Sequence, residues 1–271
     1  MGYQFGGAPA QSAARAPGEL VLMTYNRGQE GDTKLDEFKK AVAPDLIALQ
    51  DGWGGKYYYR NKAAYHDLPN RESTGEFTLL SKFPIKEGKL VYTPKGVTAA
   101  GPRAIAARFV IDFNGAEVAV YNFHLPTPRR TLNGYRRGRF LYGIIGIPGT
   151  EWGRRREMSQ NVWDERIAIG EFIRQTLRDE PLPFLAAGDF NTPDRGYLYR
   201  LISGDLGDAH RAGSGCGFTF PGDSLNPLAG FEPWLRIDYV FAGKGWEAVG
   251  STTEEARGSQ HRATAGRLRM K

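Results

Sequence analysis

Cysteine is almost missing from this chain: Cys216 is the only one among 271 residues. No intrachain disulfide can form, and no thiolate metal cluster can be built. A reducing compartment fits, as does export of a protein that needs no disulfide. Cys216 lies in the glycine-rich run GSGCGFTF with no histidine beside it, so nothing there activates a thiolate and a nucleophilic role is not expected. Long apolar runs are missing too: none reaches the roughly 18 residues of a membrane span. The first 18 residues, MGYQFGGAPAQSAARAPG, lack the apolar core of a signal peptide and read as a flexible leader. The compartment stays open: cytoplasmic, or exported or membrane-tethered if sequence has been trimmed upstream. No HExxH motif argues for zinc. No helix-turn-helix or zinc finger argues for base-specific DNA reading.

What is present describes an ordinary globular chain with a basic surface. Apolar residues make up 41% and charged residues 24%, which excludes a disordered composition. The net charge of +6 favours polyanions such as nucleic acid, phosphorylated metabolites or anionic lipid, although a basic surface without a specific partner has the same composition.

The chain opens with ELVLMTYN (19–26), a β-branched and aromatic run that predicts a buried strand. TKLDEFKKAVA follows as a helix, with Thr33 and Asp36 at capping-box spacing, Leu35, Phe38 and Val42 on one face, and Pro44 as the stop. DLIALQ is a second buried strand, so the start is strand, helix, strand. EFTLLSKFPI, GKLVYT, RAIAARFVIDF and EVAVYNFHL then predict consecutive strands with short turns, including Asn114-Gly115. An arginine-rich stretch, 129–156, shows little periodicity. SQNVWDERIAIGEFIRQTLRDE (159–180) is an amphipathic helix with Val162, Ile169, Ile173 and Leu177 inward. LPFLAAGDFN, RIDYVFAG and a strand around 263–270 complete the pattern. It predicts an α/β fold of two sheets packed face to face with helices outside. The domain runs from 19 to 271 behind the leader 1–18, with 129–156 as an insertion.

Placing the polar residues reveals a second pattern. Asn26 ends the first strand and Asp51 follows the second. His124 ends VAVYNFHL, Asp189 and Asn191 end FLAAGDFN, Asp238 opens IDYVF, and His261 precedes the last strand. In layered α/β proteins such strand ends are where ligands bind. The carboxylates and amide carbonyls are hard oxygen donors suited to Mg2+ or Mn2+. With oriented imidazoles beside them, they are the parts needed to hydrolyse a phosphate ester. Each has a plainer reading as well: Asn26 as a turn cap, Asp189-Phe190-Asn191 as an Asx-turn, Asp238 as the partner of Arg236, His124 as a structural histidine.

LMTYN, PDLIALQD, LLSKFPI, VYNFHL, AAGDFN, RIDYVF and SQHR occur in the order and spacing of the endonuclease/exonuclease/phosphatase superfamily, which this chain resembles over about residues 19–271. That superfamily includes pancreatic-type deoxyribonuclease, abasic-site exonucleases, sphingomyelinases and inositol phosphatases. The resemblance implies a four-layered α/β/β/α sandwich with the site at one end of both sheets. By the same resemblance Asn26 and Asp51 bind the divalent metal, and Asp189 orients or deprotonates the attacking water. Asn191 positions water and phosphate. His124 donates to a phosphate oxygen, with Glu76 as its supporting acid or as a plain exposed strand end. Asp238 holds His261, which stabilises charge on the phosphate. Two positions depart from the family pattern: Asp51 where Glu is usual, and Gln260 where Asp is usual. Gln260 offers a metal only an uncharged oxygen, so the expectation is a slower, one-metal enzyme using Mg2+ or Mn2+. The contrary expectation is a binding domain for phosphate or nucleic acid that has lost turnover.

The substrate is not chosen by the resemblance. Residues 128–158 hold eight arginines around the apolar run FLYGIIGIPG. Three readings stand together: a solvated loop packed on the domain, a nucleic-acid clamp with Tyr135, Tyr142 or Trp152 stacking bases, and a patch on anionic membrane with Phe140, Leu141, Ile144 and Ile145 dipping in. Arg129, Arg130 and Tyr58 are the candidate phosphate contacts. GKYYYRNK (55–62) and GFTFPG (217–222) are expected as loops lining a groove. The most direct expectation is a phosphodiesterase or nuclease-like enzyme acting as a monomer. The alternative is a phosphatase on a phosphorylated lipid or other small phosphomonoester.

Overall fold

The apolar runs at the start of the chain pair in parallel, as a strand–helix–strand unit requires. In the computed structural model β1 (Glu19–Asn26) lies beside β2 (Leu46–Gln50), with α1 (Leu35–Val42) connecting them. The structure describes residues 15–28, 35–128, 152–213, 217–222, 233–255 and 260–271, with backbone only at 152–156, 158 and 159. Thr33, the expected cap of α1, lies outside them. After β2 come α2 (Gly55–Arg60), a 3-10 turn (Ala63–Tyr65), β3 (Asn70–Thr74), β4 (Phe77–Ser81), β5 (Ile85–Tyr92), β6 (Ala104–Phe113) and β7 (Ala116–His124). The second half holds α3 (Trp152–Arg178), β8 (Phe184–Asp189), α4 (Tyr197–Ser203), β9 (Gly207–Asp208), β10 (Asp238–Ala242), β11 (Trp246–Thr253) and β12 (Thr264–Met270).

The described strands form two six-stranded sheets, ordered β11-β12-β1-β2-β4-β3 and β5-β6-β7-β8-β10-β9. Strand periodicity explains the layering. Leu20, Leu22, Leu46, Ala48, Val118, Val120, Leu185 and Val240 fill the space between the sheets. The alternate residues face outward: Met23, Ile47 and Leu49 pack under Leu35 and Tyr59, while Tyr121 and Phe123 pack under Ile169, Ile173 and Leu177 of α3. The fold is therefore the α/β/β/α sandwich expected from the sequence. Among the described residues no helix is long and apolar enough to cross a membrane. Residues 15–18 are tied to the domain, since Arg15 pairs with Asp45 and Gly18 O accepts the Met270 NH at 3.0 Å.

Several elements escape the hydrophobic pattern. NREST forms β3, an edge strand half-buried along its whole length, so no apolar alternation marks it. GKYYYR is a short helix rather than the expected loop, held down by buried Tyr59 against Tyr65. Helix α3 begins at Trp152, seven residues before the expected Ser159, because arginine-rich sequence propagates a helix without needing an apolar stripe. Of the arginine-rich stretch, 129–151 lies outside the described residues, and with it Arg129, Arg130 and the aromatic and aliphatic residues named there.

Glu180, just past α3, ties this helix layer to its sheet. Its buried carboxylate accepts Arg108 Nε at 2.6 Å, Arg108 Nη2 at 2.9 Å and the Tyr121 hydroxyl at 2.6 Å. Burial alone would raise its pKa, but these donors outweigh it and pull the carboxyl down to about 2 from 4.5. The folded pKa lies below the unfolded one, so the contribution is complete above pH 4.5 and fades as pH falls towards 2. Glu180→Gln should cost about 3 kcal/mol at pH 7 by leaving the half-buried Arg108 without its carboxylate. Urea unfolding at pH 7 and pH 3 checks this: the gap between parent and variant shrinks at the lower pH, and an equal gap at both contradicts it.

Candidate active site

The inward-facing rows turn polar at one end of the sandwich. Read along alternate residues, they run Leu20-Leu22-Thr24-Asn26, Leu46-Ala48-Gln50, Val118-Val120-Asn122-His124, Leu185-Ala187-Asp189 and, reversed, Ala242-Val240-Asp238. Deep positions supply the core, and the last one or two supply donors and acceptors. Pairing brings these ends together. His124 pairs with Asp189, and Asp189 with Asp238, across three adjacent strands of the second sheet. In the first sheet Asn26 pairs with Gln50, and Thr24 with Thr264, which sets His261 at the same end. Gly52 NH donates to Glu76 O at 2.7 Å, so Asp51 and Glu76 face each other beyond the last rung of β2 and β4.

Asp189 is the hub. Its Oδ2 accepts from Asn26 Nδ2 at 2.9 Å and Asn191 Nδ2 at 3.0 Å, and its Oδ1 accepts the Asn191 NH at 2.8 Å. Asn191, at φ 47°, also donates to Leu125 O at 2.9 Å, so the GDFN turn is locked by its own side chains. The same Oδ2 lies 3.8 Å from His124 Nε2 and 3.8 Å from His261 Nε2. Each imidazole is backed at Nδ1 by another carboxylate: Glu76 at 3.3 Å from His124, and Asp238 at 3.1 Å from His261. The Glu76 contact is an ion pair without good hydrogen-bond alignment. Asp238 thus serves His261; its sequence neighbour Arg236 pairs instead with Asp208 at 2.8 Å.

Two carboxylate-backed imidazoles thus converge on one carboxylate. The sequence profile of the Endonuclease/Exonuclease/phosphatase family matches residues 26–261, from the first of these residues to the last. The chain belongs to the endonuclease/exonuclease/phosphatase family. Its coarse activity follows from membership: phosphoester hydrolysis. Solved structures of similar fold include an endonuclease/exonuclease/phosphatase from Beutenbergia cavernae, at TM-score 0.60 and 18% identity, covering 93% of this chain and 72% of that one. Sphingomyelinase C from Streptomyces griseocarneus aligns at TM-score 0.53 and 19% identity, over 92% of this chain and 98% of its own. A mannosyl-6-phosphatase from Bacteroides thetaiotaomicron aligns at TM-score 0.57 and 14% identity, over 92% and 99%. No curated protein matches by sequence.

The family is one of divalent-metal enzymes, and the donor set here fits such an ion. Ligand atoms of Asp51, Glu76 and His124 lie within 4.8 Å of one another, as do those of Asp189, Asp238 and His261. Burial and the charges of Glu76 and Asp189 raise the Asp51 carboxyl above its ordinary pKa, only partly offset by His124. Glu76 is held below its usual value because His124 outweighs the effect of burial. His124 is raised, its burial overcome by Glu76, Asp189 and Asp51. Burial raises Asp238 despite His261. Carboxylates this crowded are relieved by a divalent cation. The Oδ1 of Asn26 accepts the Gly28 NH at 2.9 Å and keeps a second lone pair.

Asp51 takes φ 50° directly after β2, and the β2–β4 pairing runs without a bulge. Gln260 is half-buried, with its backbone carbonyl accepting the Gly222 NH at 2.7 Å. Tyr58 is exposed, its ring covered by Arg27 at 5.0 Å and Lys62 at 4.4 Å. Phe220 of GFTFPG packs on His261 with ring centres 5.2 Å apart. Sequence reasoning missed Arg166. Its buried guanidinium binds Pro126 O at 2.6 Å, Asn191 O at 2.8 Å and Thr192 Oγ1 at 3.0 Å, clamping the turns after β7 and β8. The signal was available: Arg166 occupies the inward stripe of α3 between Val162 and Ile169, where an apolar residue is due.

Proposed function

We propose that this site hydrolyses a phosphate diester with one bound Mg2+ or Mn2+, by in-line attack of water on phosphorus. The reading is carried by Asp189 Oδ2, equidistant from two imidazole Nε2 atoms that are each backed by their own carboxylate. Asn26, Asp51 and Glu76 would hold the divalent ion, which would supply Lewis-acid stabilisation of charge on the phosphate. Asp189 orients the water and takes its proton. The new P–O bond forms as the bond to the leaving oxygen breaks, so configuration inverts and no covalent intermediate arises. Asp238 holds the Nδ1 proton of His261 and the Glu76 carboxylate lies against Nδ1 of His124, leaving both Nε2–H groups to donate to phosphate oxygens. Asn191 and Asn26 keep Asp189 aimed. Gln260 adds no charge for a second ion, which favours one ion per chain.

The test is a panel of bis(p-nitrophenyl) phosphate, p-nitrophenyl phosphate and plasmid DNA, each in Mg2+, Mn2+ or EDTA. The expected result is metal-dependent turnover of the diester at least about tenfold faster than the monoester. Preference for the monoester would assign a phosphatase. Salt-sensitive DNA binding without turnover would assign a binding domain.

A further inference from the structure

Directly beneath the catalytic layer two buried amides join the sheets. Gln50 ends β2 in one sheet, and Asn122 precedes His124 by two residues in the other; both are fully inaccessible to solvent. Gln50 Nε2 donates to Asn122 Oδ1 at 2.6 Å across the gap and to Thr24 Oγ1 at 3.0 Å in its own sheet. Asn122 Nδ2 donates back to Leu49 O at 2.9 Å and Thr78 O at 3.3 Å. Neither amide can turn over. Reversing Asn122 would set its oxygen against two carbonyls, and reversing Gln50 alone would then set two oxygens 2.6 Å apart. Gln50 Oε1 is left without a hydrogen-bond partner, a burial penalty tolerated for the sake of the cross-sheet donors.

The rest of the space between the sheets is mainly apolar. Apolar burial is non-directional, whereas a hydrogen bond weakens steeply with distance and angle and so marks one register. Lateral register matters here because each acid–imidazole cluster draws on both sheets. Asp51 and Glu76 of the first meet His124 of the second, and Asp189 and Asp238 of the second meet His261 of the first. A slide between sheets would open both clusters together.

We propose that Gln50 and Asn122 are positioning residues whose amide-to-amide bridge sets the register between the sheets, and through it cation affinity and turnover. The inference rests on the metal-dependent hydrolase reading above. Gln50→Met and Asn122→Leu keep the volume and remove the bridge. Thr24→Val removes an equally buried hydroxyl that Gln50 reaches within one sheet and leaves the bridge in place. The full chain is titrated with Mn2+ by electron paramagnetic resonance and assayed on bis(p-nitrophenyl) phosphate, with folding checked by circular dichroism. In the two bridge variants Mn2+ affinity and kcat should each fall about tenfold or more, with KM little changed. Thr24→Val should stay within about threefold of the parent. The exchange Gln50→Asn with Asn122→Gln restores an amide pair and should recover most of both losses. It also decides the matter if a single variant fails to fold. Folded bridge variants near parental values overturn the inference, as does equal loss in Thr24→Val or a folded exchange variant that binds Mn2+ weakly. A parent that neither binds Mn2+ nor turns over overturns the hydrolase reading itself and the inference with it.

Discussion

Asp189→Asn should lower turnover about a thousandfold or more while the protein stays folded. Three donors converge on this carboxylate: Asn26 Nδ2, the Asn191 NH and Asn191 Nδ2. An isosteric amide keeps the shape but cannot take the water's proton. One of its ends must also present N–H groups to a donor that previously met an oxygen. That mismatch should cost about 1–3 kcal/mol, a drop of several degrees in thermal midpoint that leaves the variant folded at 25 °C. The two effects are read separately, by kcat on bis(p-nitrophenyl) phosphate and by circular dichroism melting. A rate within tenfold of the parent would remove Asp189 from the chemistry.

Gly188→Ala should have the largest effect on stability. Gly188 sits at φ 141°, and a Cβ there would stand 2.0 Å from Phe123 O and 2.7 Å from Phe123 N. Those atoms are backbone of the neighbouring strand β7, so no rotamer relieves the clash. Backbone strain and overpacking together should cost about 4 kcal/mol. Because Gly188 precedes Asp189 and Phe123 precedes His124, the strands that part are the ones carrying the site. Activity of whatever protein stays folded should fall too. Gly250→Ala is the control, since a Cβ added at Gly250 would meet nothing within 4 Å; it should shift stability by less than about 0.5 kcal/mol. Urea midpoints compare the two, and similar midpoints would contradict the packing argument.

Much of this architecture is legible in the chain because strand alternation carries it. In VAVYNFHL the inward residues pass from Val118 and Val120 to Asn122 and His124, and in FLAAGD from Leu185 and Ala187 to Asp189. Each strand therefore announces which of its ends is polar, and parallel pairing of β1 with β2 and of β7 with β8 gathers those ends. The choice between Arg236 and His261 as the partner of Asp238 is not legible in the residues themselves, only in the family resemblance. It depends on Asp208, far upstream in β9, which takes the guanidinium away. The edge strands β3 and β11 were not legible either, since residues exposed on one side and unpaired along one edge need no apolar alternation. The roles of Gln50, Asn122 and Arg166 depend on contacts between elements far apart in sequence, and a polar residue within an apolar row says only that a partner exists, not which one.

The most direct test of metal-dependent hydrolysis at Asp189 is a Mn2+ titration of bis(p-nitrophenyl) phosphate turnover from an EDTA-stripped start, run side by side on the parent and Asp189→Asn. No turnover is expected without metal, and the parent should show saturable turnover at about one ion per chain. In Asp189→Asn the rate should stay about a thousandfold lower at every Mn2+ concentration. Metal-independent hydrolysis by the parent, or equal rates in the two proteins at saturating Mn2+, would contradict it.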